Sequence, residues 1–252
     1  MTFSLLTYVM VCGLVFLSGF IDAIAGGGGL ISLPAYMMTG MPSHLAVGTN
    51  KLSSAIGTTV STSRYIKKGF VIWKIAVPSA VLSIAGSVAG ANLSMLIDEK
   101  VLTYVMLVIL PITAAAVFLK KDIESVKEVP QSQMIAVSLA SALIIGMYDG
   151  FYGPGTGTFM ILALTGLAGM NAQNAAGNTK IMNLSSNIAA LITFIINGKI
   201  VYSLGLCAAV FSVLGHYTGS GMVITNGKKI MRPAIVIVLL IMIVKIAWEQ
   251  FI

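Results

Sequence analysis

Gly19-Phe20-Ile21-Asp22-Ala23-Ile24-Ala25-Gly26-Gly27-Gly28-Gly29 breaks an apolar stretch near the start of the chain. Gly146-Met147-Tyr148-Asp149-Gly150-Phe151-Tyr152-Gly153-Pro154-Gly155-Thr156-Gly157 breaks a second one. Gly19, Asp22, Gly26 and Gly28 recur 127 positions later as Gly146, Asp149, Gly153 and Gly155. A carboxylate inside an apolar run is costly in lipid, so two of them in matching glycine-rich breaks call for a reason. Paired interruptions in the two halves of a membrane protein point to a binding site where the halves meet.

The surrounding composition supports a membrane setting. Of 252 residues, 57% are hydrophobic and only 9% are charged, too few charges for a soluble domain of this size. Apolar runs of about 20 residues recur along the chain, as in a polytopic helical membrane protein. Full-length spans are expected near 4–25, 43–66, 70–97, 101–119, 132–152, 172–196, 200–225 and 233–251. The first ten residues lack a basic n-region, so they read as a retained span rather than a signal peptide. The net charge of +7 comes from Lys and Arg at the ends of apolar runs, which fits membrane topology and not nucleic-acid binding. Cys12 and Cys207 fall inside apolar segments, which speaks against a disulfide framework or a zinc site.

Two shorter apolar segments, near 28–40 and 156–169, follow the glycine motifs. The first spans only about 20 Å as a helix, against a hydrocarbon core of about 30 Å. It must start or stop inside the membrane, where irregular backbone is tolerated only in protein or against a wet cavity.

The duplication continues past the glycines. Ala46-Val47-Gly48-Thr49-Asn50-Lys51 matches Ala175-Ala176-Gly177-Asn178-Thr179-Lys180, now 129 positions apart. Gly69 then matches Gly198, Trp73 matches Tyr202, and Gly86 and Gly90 match Gly215 and Gly219. The expected fold is therefore an all-α integral membrane protein with two helical repeats, residues 1–119 and 132–252, joined by a linker at 120–131. Five spans per repeat, one of them a short discontinuous helix, place most basic residues on one side. The positive-inside rule then favours inverted repeats with both termini outside.

Several residues are candidates for a site. Glycine turns let a ligand approach the main chain, and the following helix presents unpaired N–H groups and a positive dipole end that suit an anion. Gly26, Gly27, Gly28, Gly153, Gly155 and Thr156 are the candidates here. The competing explanation is close helix packing, the role also expected of Gly86, Gly90, Gly215 and Gly219. Lys51 and Lys180 lie about 12 Å into their spans, too deep to reach the interface easily. Each opens a polar stripe on one helix face: Lys51, Ser54 and Thr58, then Lys180, Asn183 and Asn187. Two roles are open for the lysines. With Thr49, Asn50, Asn178 and Thr179 they face an anionic substrate, or they are counter-ions to Asp22 and Asp149. Asp22 and Asp149 are candidates for helix caps or proton relays. His44 and His216 lack a second histidine at metal-ligand spacing and read as satisfied polar residues, so no metal or cofactor is expected.

At these residues the chain resembles the TauE/SafE family, exporters of sulfite and organosulfonates in prokaryotic membranes. The resemblance rests on the Asp22–Gly29 turn, on Ala46 to Lys51 and on the second turn from Asp149 to Gly157. It covers nearly the whole chain. It departs from a strict repeat at Gly177-Asn178-Thr179-Lys180, where Asn and Thr are exchanged relative to the first copy. The resemblance implies an exporter of small sulfur-containing anions, located in the plasma (inner) membrane and not an enzyme. The partners expected are the anion, the bilayer and, compatibly, further copies of the chain. Two other classes use the same residues: an anion channel with a basic lining, and an intramembrane aspartyl protease built on Asp22 and Asp149.

Overall fold

The structure, a computed structural model, describes residues 3–98, 101, 129–226 and 230. All regular elements among them are helices. The spans expected at 101–119 and 233–251, and the linker at 120–131 apart from its last residues, lie outside the described residues.

The first four helices are α1 (Leu5–Ala25), α2 (Gly29–Met37), α3 (Ser43–Lys67) and α4 (Trp73–Leu96). The second four are α5 (Gln131–Phe151), α6 (Thr156–Gly166), α7 (Ala172–Ile196) and α8 (Tyr202–Asn226). Each boundary has a local cause. Ser4 caps α1 by accepting the Thr7 N–H, and Asn171 caps α7 by accepting the Asn174 N–H at 2.8 Å. Gly26 ends α1 at φ +77°, and its N–H bonds the Asp22 carbonyl at 2.9 Å. Arg64 and Lys67 sit in the last turn of α3, where the helix dipole favours cations.

The short helices are those expected. With nine residues in α2 and 11 in α6, neither can cross a bilayer alone. Among the described residues five helices, α1, α4, α5, α7 and α8, are long and apolar enough to do so. At 25 residues α3 also has the length, but its composition is polar. Burial explains that composition. Its serines, threonines, Asn50 and Lys51 mostly face other helices, and Ile56 is its only exposed large apolar side chain. The other long helices carry the lipid-facing residues, among them Leu5, Val81, Ile144, Ile196 and Val210. Trp73 and Tyr202, at matching repeat positions, are half-exposed at the starts of α4 and α8, where interfacial aromatics are expected.

The halves exchange partners. α4 packs along α5, and α8 packs along α1. Glycine makes both contacts possible. A Cβ on Gly86 or Gly90 would lie 2.2 or 1.9 Å from the carbonyl oxygens of Leu143 or Met147. A Cβ on Gly215 or Gly219 would lie 2.2 or 2.3 Å from those of Phe16 or Phe20. These small-xxx-small pairs are thus helix-packing surfaces, as their spacing suggested.

The two helix breaks also meet. Thr158 donates its N–H to the Gly26 carbonyl at 3.2 Å and its hydroxyl to the Ala25 carbonyl at 2.8 Å. A Cβ on Gly26 would come within 2.3 Å of the Gly157 carbonyl carbon. Each break therefore supplies partners for backbone groups that the other leaves open.

Gly90→Ala and Gly219→Ala force a methyl group into a backbone carbonyl. Each substitution is expected to cost about 1–3 kcal/mol as an overpacked contact, read as a shift in the unfolding transition in detergent.

Candidate functional site

The lysines of α3 and α7 reach across to the aspartates of the opposite half. Lys51 Nζ lies 2.8 Å from Asp149 Oδ1, with both side chains buried. Lys180 Nζ lies 2.8 Å from Asp22 Oδ2, and it also donates to the Asp22 main-chain carbonyl. The counter-ion role left open by the sequence is therefore realised, and the pairing is crossed. Taking four charges out of water is affordable only because each has an opposite charge at contact distance and further hydrogen bonds.

Those further bonds come from the asparagines of the second polar stripe, from Ser186 and from the start of α2. Lys51 donates to Asn187 Oδ1 at 3.2 Å, and Asn187 Nδ2 donates to Asn183 Oδ1 at 2.8 Å. Ser186 donates its hydroxyl to Asp149 Oδ2 at 2.7 Å. Asp22 Oδ1 accepts the Gly28 N–H at 3.3 Å, so it contacts the start of α2 as well as its lysine. Asp22 and Asp149 hold separate lysines and do not hydrogen-bond to each other. A protease dyad, in which two carboxylates share a proton, has no counterpart in this geometry.

A polar cavity lies among these groups, with about 450 Å³ of space including its open mouth. α1 and α2 contribute Val15, Ser18, Asp22, Gly26, Gly28, Gly29 and Ser32. From α3 come Asn50, Lys51, Ser54 and Thr58, so the predicted stripe forms one wall. The second half adds Asp149, Gly153, Thr156, Gly157, Asn183, Asn187, Ser212 and His216. Val15 is the single large apolar side chain in this lining. Gly153, at φ +101°, leaves room for the ion pair, since a Cβ there would lie 2.9 Å from Lys51 Nζ.

The predicted residues divide into two groups. Gly26, Gly28, Asn50, Lys51, Gly153 and Thr156 line the cavity with Asp22 and Asp149. Gly27, Thr49, Gly155, Asn178, Thr179 and Lys180 do not. Lys180 lies behind Asp22, Thr49 accepts the Val201 N–H at 3.0 Å, and Asn178 bonds the Asn174 carbonyl at 2.7 Å. Asn50 Oδ1, Asn178 Oδ1 and Thr179 Oγ1 are buried without a hydrogen-bond partner among the described residues. Asn50 and Thr179 lie 129 residues apart, at matching positions of the two sequence motifs.

Ser18, Ser32, Ser212 and His216 line the cavity but were missed in the sequence. His216 carried the one usable signal, an ionisable side chain inside an apolar span. His44, by contrast, meets the Ser94 carbonyl at 2.9 Å away from the cavity. Cys12 and Cys207 are free thiols with their sulfurs 3.5 Å apart between α1 and α8.

Lys51→Ala and Asp149→Ala each leave a buried charge without its partner and are expected to cost about 3–5 kcal/mol. The double variant K51A/D149A is expected to lose much less than the sum. A double-mutant cycle measured by detergent unfolding checks this, and simple additivity would contradict the pair.

The geometry can now be set beside known proteins. The family model described as Sulfite exporter TauE/SafE matches residues 11–246. A probable membrane transporter protein of Haemophilus influenzae is 37% identical, over 93% of this chain and 92% of its own length. Another, ORF9 of a Sinorhizobium species, is 36% identical over 94% of this chain and 90% of its length. A third, YfcA of Escherichia coli K12, is 33% identical over 93% and 87%. No solved structure matches the chain significantly. The chain belongs to the sulfite exporter TauE/SafE family and is an integral membrane transporter of the plasma membrane.

Proposed function

We propose that the protein is a secondary transporter that exports small sulfur-containing anions, such as sulfite or sulfonates, by alternating access around the cavity. The single observation that carries this reading is the crossed pair of buried lysine–aspartate bridges flanking a polar cavity between two broken helices. An anion entering the cavity competes with Asp149 for the Lys51 ammonium. Lining hydroxyls such as those of Ser54 and Thr58 can donate to its oxygens. Gly28, Gly29, Thr156 and Gly157 bring the positive ends of α2 and α6 to the same space.

The crossed bridges also suit a rocking mechanism. Each ties one half of the chain to the other, so loosening either changes how the halves are held together. We take residues 1–119 and 132–252 as the two moving repeats, inverted relative to one another. The exchange of partners between α4–α5 and α8–α1, and the meeting of the two breaks, support such a two-fold relation. The sulfur anion and the outward direction rest on the family's description, and the polar lining is compatible with a small, hydrophilic oxyanion.

Purified protein in proteoliposomes is expected to show saturable flux of sulfite or of a sulfonate, compared with sulfate and carboxylates. Lys51→Ala and Lys180→Ala are expected to abolish it in protein that still elutes as a single species. Wild-type flux in either variant would overturn the site assignment. Currents that rise linearly with concentration would favour a channel.

A further inference from the structure

We infer that His216 and Asp22 together form a proton-binding site, so that a proton is carried through the protein with the anion. This inference rests on the transport function proposed above.

It begins with the charges. Lys51, Lys180, Asp22 and Asp149 form a neutral set of two crossed bridges. Adding an anion to a neutral set in a low-dielectric interior leaves one negative charge uncompensated, at a cost of several kcal/mol. A proton bound nearby removes that cost.

His216 is placed to accept it. The side chain is buried on α8, lines the cavity, and packs over Gly57, where a Cβ would lie 2.5 Å from its Cδ2. Ser61 donates its hydroxyl proton to the Thr58 carbonyl at 3.1 Å, and the same oxygen lies 2.9 Å from His216 Nδ1. When the hydroxyl proton stays on the Thr58 carbonyl, Nδ1 is the donor in the Ser61 contact. In that neutral Nδ1–H tautomer Nε2 keeps its lone pair. Nε2 faces Asp22 Oδ2 across 3.8 Å. Two acceptors thus face each other beyond hydrogen-bond length, and one proton between them converts the contact into an imidazolium–carboxylate bond.

The other half is built differently. By the 129-residue spacing, His216 corresponds to Ser87 and Gly57 to Ser186. Ser186 gives its hydroxyl directly to Asp149, and Ser87 bonds the Ser186 carbonyl at 2.6 Å. Asp149 is therefore satisfied by a neutral hydroxyl and its lysine, while Asp22 faces a titratable base. The proton site is single in a duplicated fold.

Among the described residues, the charged and titratable groups around His216 are few. Asp22 faces it from α1, Lys180 of α7 stands behind that carboxylate, and Lys51 of α3 shares the cavity wall. Arg64 of α3 is engaged elsewhere, on the Tyr217 carbonyl and ring, and Tyr65 donates to the Ala23 carbonyl. Proton binding is thus governed by Asp22 and by whichever charge occupies the cavity. Co-transport sets the direction of flux: an outward anion gradient drives export, and an inside-alkaline pH gradient opposes it.

The test uses proteoliposomes loaded with a pH-sensitive dye, with labelled methanesulfonate and sulfite as probes and the membrane potential clamped. Methanesulfonate stays ionised, so its proton signal cannot come from its own titration. In the wild type, an inside-alkaline gradient is expected to drive methanesulfonate accumulation together with internal acidification. His216→Gln is expected to lose both in protein that still elutes as a single species. Ser61→Ala is expected to shift the pH of half-maximal flux, which a merely structural hydroxyl would not do. Anion movement by the wild type without proton entry would overturn the inference and leave the transporter intact, as would pH-driven accumulation by His216→Gln. Movement of neither probe would overturn the transport reading and the proton site with it.

Discussion

Four buried ionisable side chains neutralise one another in this protein, and they do so across the boundary between its halves. Lys51 reaches Asp149, and Lys180 reaches Asp22. Much of the local architecture serves that pairing. The glycine turns bring the aspartates to the centre and keep Cβ atoms away from the ion pair at Gly153. The small-residue surfaces let α4 and α8 close against α5 and α1. The asparagines of α7, Ser186 and the start of α2 supply the remaining hydrogen bonds.

The arrangement is stable without being inert. Buried bridges hold well when complete and badly when broken, because the charge left behind loses its partner in a largely desolvated site. Such bridges suit a cavity whose ligand is itself a charge. An anion that takes over a lysine replaces one partner with another, and a proton on the other side of the balance keeps the interior neutral. On the inference drawn above, the asymmetry between His216–Asp22 and Ser186–Asp149 would assign the proton to one bridge and the anion to the other. A membrane transporter of the TauE/SafE family would thereby acquire coupling from ordinary side chains.

Helix positions were largely legible in the sequence because hydrophobic run length and glycine breaks report directly on local geometry. α7 lies at 172–196 as expected, and α1, α3, α4, α5 and α8 differ from expectation by only a few residues at their ends. The lysine stripes were legible for the same reason, since helical periodicity puts Lys51, Ser54 and Thr58 on one face. What periodicity could not supply was the partner across the fold. Whether Lys51 met a substrate or a carboxylate depended on how α3 lies against α5. Lys180 sits behind Asp22 for the same tertiary reason. Ser18, Ser32 and Ser212 were invisible because a lone hydroxyl in an apolar helix usually bonds its own backbone. His216 joined the cavity through Gly57, a contact between residues far apart in sequence.

The central claim is that the crossed bridges are the element an anion acts upon. Solid-state NMR distance measurements between lysine 15Nζ and aspartate 13Cγ test it most directly in protein reconstituted in lipid. The account predicts a contact-range Lys51–Asp149 distance without anion that lengthens when sulfite or a transported sulfonate is added. A bridge formed within one half, such as Lys51 with Asp22, or a Lys51–Asp149 distance unchanged by a saturating transported anion, would contradict it.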